Sequence, residues 1–208
     1  MTDASAVARA ALELGSATLG ESGARRMHPR IKPVWKGARF AAPAYTVRCT
    51  PGDNLAIHVA VARAPSGRAL VADMGGTRDF GYWGEVLTTG AEARGIAALV
   101  IDACVRDCDA LEAHGFPVFA TGLALTGADK THAGSLRQPV TVGDVAVASD
   151  DWVVGDTDGV VVIPGAELDA VLAAARARAD KEAGLFAALR AGATTLELLD
   201  LDPGPVQD

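Results

Sequence analysis

Apolar positions along this chain switch between helical and strand periods several times, and each switch predicts an element. Between residues 4 and 19, Val7, Ala11, Leu14 and Leu19 recur at helical steps, with Gly15 and Gly20 as stop signals. Residues 38–49 carry strand formers such as Tyr45, Thr46 and Val47 and end at the turn Thr50-Pro51-Gly52. Asp53 opens a helix to about residue 64, with Leu55, Val59 and Ala62 on one side, closed by Pro65-Ser66-Gly67. Residues 69–73 then read as a strand, 84–94 as a helix stopped by Gly95, and 97–102 as a second strand: a βαβ unit. A helix over 108–114 and a strand over 117–120 repeat the alternation, which marks a mixed α/β fold. Beyond Pro139 come short strands at 140–142, 145–148, 152–154 and 160–163. The turns Gly143-Asp144 and Asp158-Gly159 make them antiparallel. A long helix over 167–191 has an apolar stripe of Leu168, Val171, Leu172, Ala175, Phe186 and Leu189, and a loose tail begins at Pro203.

Composition narrows this picture. Half of the 208 residues are hydrophobic and 22% are charged, enough to bury one core and too apolar for a disordered chain. A single domain over 1–208 is expected, with its core at about 30–165. The formal charge of -7 argues against nucleic acid or an anionic membrane as partner, while a local Arg can still hold a small anion. Three cysteines, Cys49, Cys104 and Cys108, cannot all pair and lack a secreted spacing, so a reducing cytoplasm is expected. The N-terminal stretch lacks the order of a signal peptide, and the apolar runs at 96–101 and 160–163 are too short to span a bilayer.

Two segments could carry chemistry. The Gly-rich loop 74–83 feeds a helix beginning Gly84-Glu85-Val86-Leu87, and free amides at a helix start can hold a carboxylate or phosphate. Its spacing matches neither a dinucleotide fingerprint nor a Walker A loop, and it would equally serve as a connection in which Glu85 favours the helix dipole. After the next strand stand Arg106 and Asp107, a bidentate carboxylate fork beside a hard oxygen for Mg²⁺ or Mn²⁺; as readily, they are a surface charge and an N-cap. Strand C-termini in α/β sheets gather ligands, so the two segments should share a crevice. His28, His58, His114 and His132 have no paired metal spacing and read as surface or structural residues. Cys104 and Cys108 read as free thiols. Trp35, Trp83 and Trp152 read as packing, with Trp83 able to wall a pocket.

The segments Gly84-Glu85-Val86-Leu87, Val100-Ile101-Asp102, Val105-Arg106-Asp107 and Gly115-Phe116-Pro117-Val118-Phe119-Ala120 stand in an order that resembles one known family. It is that of the 4-hydroxy-4-methyl-2-oxoglutarate aldolases and regulators of ribonuclease E activity. Asn54, Gly95, Pro139-Val140 and the run from Asp156 to Pro164 fit the same pattern. The resemblance implies a three-layer αββα sandwich of the phosphohistidine swivelling-domain type, assembled as trimers or hexamers. It implies a lyase that releases pyruvate from 4-hydroxy-4-methyl-2-oxoglutarate-type 2-oxo acids and decarboxylates oxaloacetate through a pyruvate enolate stabilised by a divalent cation. In that reading the amides of Gly84, Glu85, Val86 and Leu87 hold the substrate carboxylate, and Arg106 holds the oxo acid. Asp107 binds Mg²⁺ or Mn²⁺ directly, Glu85 helps hold a catalytic water, and Glu182 of a neighbouring subunit approaches the metal shell.

Three stretches depart from the family pattern. Ala103 stands where Gly is usual, Thr121-Gly122-Leu123-Ala124-Leu125 lacks the usual Arg and Pro, and Gly20-Glu21-Ser22 replaces an Asp-Ala. The rival implied by the same resemblance is a non-catalytic regulator that binds and inhibits a ribonuclease or another protein. The retained Arg106, Asp107 and Glu85 favour the enzyme.

Overall fold

The computed structural model describes residues 3–206 and places the elements in a regular alternation. Helix α1 (Ala4–Glu21) leads to short strands β1 (Arg25–Arg26) and β2 (Lys32–Pro33), then to the long β3 (Phe40–Arg48) and α2 (Leu55–Arg63). The middle runs β4 (Ala69–Asp73), α3 (Glu85–Glu92), β5 (Ala98–Ile101), β6 (Cys104–Val105), α4 (Cys108–His114), β7 (Val118–Ala120) and β8 (Gly122–Leu123). The chain closes with β9 (Ser135–Leu136), β10 (Val140–Val142), β11 (Val145–Val147), β12 (Trp152–Gly155), β13 (Val160–Ile163), α5 (Leu168–Arg190) and α6 (Thr195–Leu198).

Strand β3 organises the sheet by changing partner halfway. Residues Phe40 to Pro43 pair antiparallel with β12, whereas Ala44 to Arg48 pair parallel with β4. Strands β5 and β7 extend the parallel half, β13 and β1 extend the antiparallel half, and the sheet curls over on itself. Alternate side chains then enter different cores. Leu70, Ala72, Leu99 and Ile101 face α2, α3 and α4 through Ile57, Leu87 and Leu111. Val71, Val100 and Phe119 point into the fold of the sheet against Phe40, Val153, Val162 and the β10–β11 hairpin. Trp152, Val154, Val161 and Ile163 meet α1 and α5 at Val7, Leu19, Val171 and Leu172. Burial on both faces explains why the strands read as continuous apolar runs.

The result is a mixed α/β fold with a curled sheet, helices outside both halves and a long C-terminal helix. Several expectations change. Gly15 bends α1 instead of stopping it, because Asp156 accepts hydrogen bonds from Ser16 N (2.7 Å) and Ser16 Oγ (2.5 Å) and restarts the helix. The α5 stripe packs only as far as Ala175, and Phe186 is 50% exposed. Helix α6 was not expected, although Thr194 and Glu197 form the reciprocal capping box that announces it. No helix among the described residues is long and apolar enough to cross a membrane.

Candidate functional site

The C-terminal ends of β4 and β5 open onto the starts of α3 and α4, as the alternation predicted. Two aromatic anchors fix the approach to α3. Trp83 is fully buried, stacks on Phe116 at 5.8 Å between centroids, and donates its indole N–H to Thr88 Oγ1 at 2.7 Å. Tyr82 is also fully buried, and its hydroxyl accepts the Gly52 N–H at 2.9 Å. Between these anchors and α3 sits Gly84. A Cβ there would run into Asp107 Oδ2 and stand 3.1 Å from Arg106 Cγ, so only glycine lets the two segments touch.

Asp107 is the N-cap of α4 in position but not in bonding. Its backbone is left-handed (φ 61°, ψ 39°), a conformation that Asp tolerates better than most residues, and its side chain makes no cap to α4. The carboxylate instead crosses to α3, where Oδ2 accepts the Glu85 N–H at 3.0 Å. Arg106 is pinned by its own N–H to Trp83 O (2.8 Å), and its Nε lies 3.8 Å from Asp107 Oδ2. Both side chains remain roughly two-fifths exposed. Since both Asp107 contacts use Oδ2, Oδ1 is left for a ligand.

These groups line a cleft of about 170 Å³ together with Asn54, His58, Tyr82, Trp83, Leu87 and Lys130. Asn54 donates its amide to Tyr82 O at 2.7 Å, and its Oδ1 is buried without a hydrogen-bond partner among the described residues, as is His58 Nε2. Both residues line the cleft, while these two atoms themselves are shielded from solvent behind its surface. Burial, helped by Lys130 and opposed by Asp53, holds the His58 pKa below the ordinary histidine value, so the ring stays neutral. The sequence marks neither as a cleft residue: Asn54 is only a motif member, and His58 reads as surface or structural. Their spacing of four residues at the start of α2 puts them on one helix face.

Other predicted residues lie elsewhere. Glu85 contributes its backbone to the α3 start, but its carboxylate turns towards His114, 3.7 Å away, and does not line the cleft. Its N–H is already taken by Asp107, so the amides of Val86 and Leu87 are the first-turn groups left for an anion. Glu182 sits on α5, paired with Arg178 at 2.9 Å, in the helix layer on the far side of the sheet from α3 and α4. Within one chain it does not meet Asp107. Cys108 donates to Val34 O and Cys104 lies against Thr121, and all three cysteines are free thiols.

Among the described residues no three His, Cys, Asp or Glu side chains cluster to cage a metal. The donor set suits a different kind of site. One accessible carboxylate oxygen beside an anion-binding helix start fits a hard, largely hydrated cation such as Mg²⁺, which completes its shell with water and substrate oxygens.

Comparison with known proteins gives the family. Residues 3–162 match the model of the RraA-like family, described as Aldolase/RraA. A protein of Halalkalibacterium halodurans named "Putative 4-hydroxy-4-methyl-2-oxoglutarate aldolase" is 36% identical over 154 residues, covering 74% of this chain and 73% of its own. The crystal structure of an uncharacterized protein from Pseudomonas syringae superposes with a TM-score of 0.83 at 27% identity, over 93% of this chain and 92% of that one. The RNA-processing inhibitor RraA from Thermus thermophilis superposes with a TM-score of 0.62 at 26% identity, over 68% and 85% of the two chains. On the match of more than half its length, this chain belongs to the Aldolase/RraA family.

Proposed function

We propose that this chain is a divalent-metal-dependent carbon–carbon lyase that releases pyruvate from 4-hydroxy-4-methyl-2-oxoglutarate-type 2-oxo acids and decarboxylates oxaloacetate. One observation carries the reading: Arg106 and Asp107, from the start of α4, converge with the start of α3 on a single cleft, with an Asp107 oxygen left unbonded there. The Val86 and Leu87 amides receive the substrate's C1 carboxylate, at the positive end of the helix dipole. Arg106 lies beside the 2-oxo group and opposes the negative charge that develops there as the neighbouring carbon–carbon bond breaks. Asp107 Oδ1 is the group that holds Mg²⁺ or Mn²⁺. A cation bound there supplies Lewis-acid stabilisation of the same charge, which cleavage of a hydroxy-oxo diacid and decarboxylation of oxaloacetate both require.

The remaining residues orient the other end of the substrate. Asn54 and neutral His58 form the wall beside the hydroxyl-bearing carbon, and Lys130, which also lines the cleft, suits a second carboxylate. Glu85, once it leaves His114, holds with Arg106 the water that returns a proton to the enolate carbon. A trimer or hexamer, with Glu182 of a neighbouring copy approaching the cation, completes the proposal, as do a cytoplasmic location and kinship with the phosphohistidine swivelling domain.

The test is pyruvate release from both substrates with Mg²⁺, with Mn²⁺, with a chelator and in Asp107→Asn. Metal-independent turnover, or full activity in the variant, sinks the mechanism. A wild-type chain inert towards both substrates transfers the case to a non-catalytic regulator, the Thermus relative being named an RNA-processing inhibitor.

A further inference from the structure

A second pocket lies at the other end of α2. Asn54 and His58 serve the cleft from the start of this helix; Arg63, in its last turn, lines a separate pocket of about 220 Å³ with Tyr45, Arg68, Arg137, Ser149 and Asp150. The three arginines come from α2, from the residue before β4 and from the loop after β9, so the fold and not local sequence brings them together. Asp150 is the single carboxylate among the lining residues. It pairs with Arg68 and lies 3.9 Å from Arg137, while Arg63 has no acidic partner among the described residues. Three guanidinium groups against one carboxylate leave two uncompensated positive charges in a chain of net charge -7.

Such an arrangement is open to an anion. The Arg137 side chain is 66% exposed, so water screens the repulsion among the three charges, while the shared concavity keeps the local balance positive. The backbone is special here too, because Arg137 is held at φ 62° and Asp150 at φ 78°. For Arg, which has no short polar side chain to favour that region, the conformation persists only if its surroundings impose it. The imposed turn is visible: Arg137 N donates to Thr46 O at 2.9 Å, and Ser149 Oγ accepts the Thr46 N–H at 3.2 Å, which locks both loops onto β3. Tyr45, 7% exposed, gives the pocket a rigid aromatic wall.

We propose that this pocket binds a dianionic phosphoryl group, free or as a small organic phosphate monoester. Arg63 and Arg137 are its forks, and Arg68, already held by Asp150, is a fixed third charge. Two surplus positive charges match the dianion, and guanidinium groups bond phosphate oxygens in pairs. The site is distinct from the cleft and stands whether or not the lyase reading survives.

The experiment titrates inorganic phosphate into the Arg106→Ala protein by calorimetry at low ionic strength, so that the cleft's own guanidinium takes no part. One saturable site per chain is expected with a Kd of about 0.1–10 mM. Arg63→Gln and Arg137→Gln, each added separately, should weaken it roughly tenfold. The phosphate-dependent rise in unfolding temperature should disappear with them. Tighter binding of glycerol 3-phosphate than of phosphate identifies an organic monoester as the ligand type; the reverse identifies the free ion. No saturable binding, or an affinity unmoved by both substitutions, overturns the proposal. So does a change of assembly mass in Arg63→Gln with phosphate affinity unmoved, which assigns the arginines to a contact between copies.

Discussion

Asp102 and Asp107 lie five residues apart, and each meets arginine and a backbone amide, yet the structure uses them in opposite ways. Asp102 is 9% exposed and saturated. It accepts from Arg30 Nε (3.0 Å) and Nη2 (2.7 Å), from Arg78 Nε (3.0 Å) and from Gly143 N (3.1 Å), and Arg30 continues to Asp144. Asp107 is half open, accepts one amide, and keeps an oxygen free. Burial by itself would raise the Asp102 pKa, but its arginines and the Gly143 amide outweigh that and bring it to about 2. A carboxylate with every lone pair engaged stitches β2's approach, the loop before α3 and the β10–β11 turn together. One with an oxygen to spare can bind.

The sharpest way to break this contrast is to remove one charge at a time. Asp107→Asn keeps a residue that tolerates the left-handed backbone and should lower kcat/KM for pyruvate release by roughly 10³-fold, about 4 kcal/mol of barrier. Its urea unfolding should shift by less than about 1 kcal/mol. If Asp107→Asn destabilises and stays active, the two carboxylates have been assigned the wrong way round.

Asp102→Ala should do the reverse. Leaving Arg30 and Arg78 around an empty, nearly buried position costs about 3 kcal/mol, read as a lower urea midpoint. Gly84→Ala tests the contact itself, because the added Cβ displaces Asp107 Oδ2 from the Glu85 amide. On the proposed role of Asp107 as the cation's ligand, this displacement should lower kcat/KM by roughly 10²-fold, and unchanged kinetics would show that this contact is not needed for positioning.

The smallest effect is in acid. The folded Asp102 pKa is depressed to about 2 from an unfolded value near 3.9, so its contribution is full above about pH 4 and is lost as pH falls towards 2. Wild type should therefore lose about 2 kcal/mol more than Asp102→Asn across that window. Parallel stability curves for the two proteins would remove Asp102 from the account.

Local signals carried much of this fold into the sequence. The bounds of β4 and α4 were read to the residue, because Gly-rich loops, Gly115 and the apolar runs mark them. The two-residue strands β1, β2, β6, β8 and β9 were not read, since each exists only through a partner distant along the chain. Of the candidate site, Arg106, Asp107 and the α3 start were legible from residue type and position after a strand. His58 was not, because its significance is an unpartnered Nε2 and no pattern of neighbours announces an unmade bond.

The sequence by itself therefore determined the alternation of strands and helices, the anionic balance, and the presence of an Arg-Asp pair where a parallel strand ends. Periodicity, capping and charge are properties of short stretches, and they survive without a partner. Tertiary structure alone decided that Asp107 turns away from its own helix to hold α3, that Glu85 faces His114 instead of the cleft, and that Asp102 is spent on Arg30 and Arg78. Each of those outcomes depends on which donors the curled sheet brings within about 3 Å of a carboxylate, and that distance is set by packing across the whole chain.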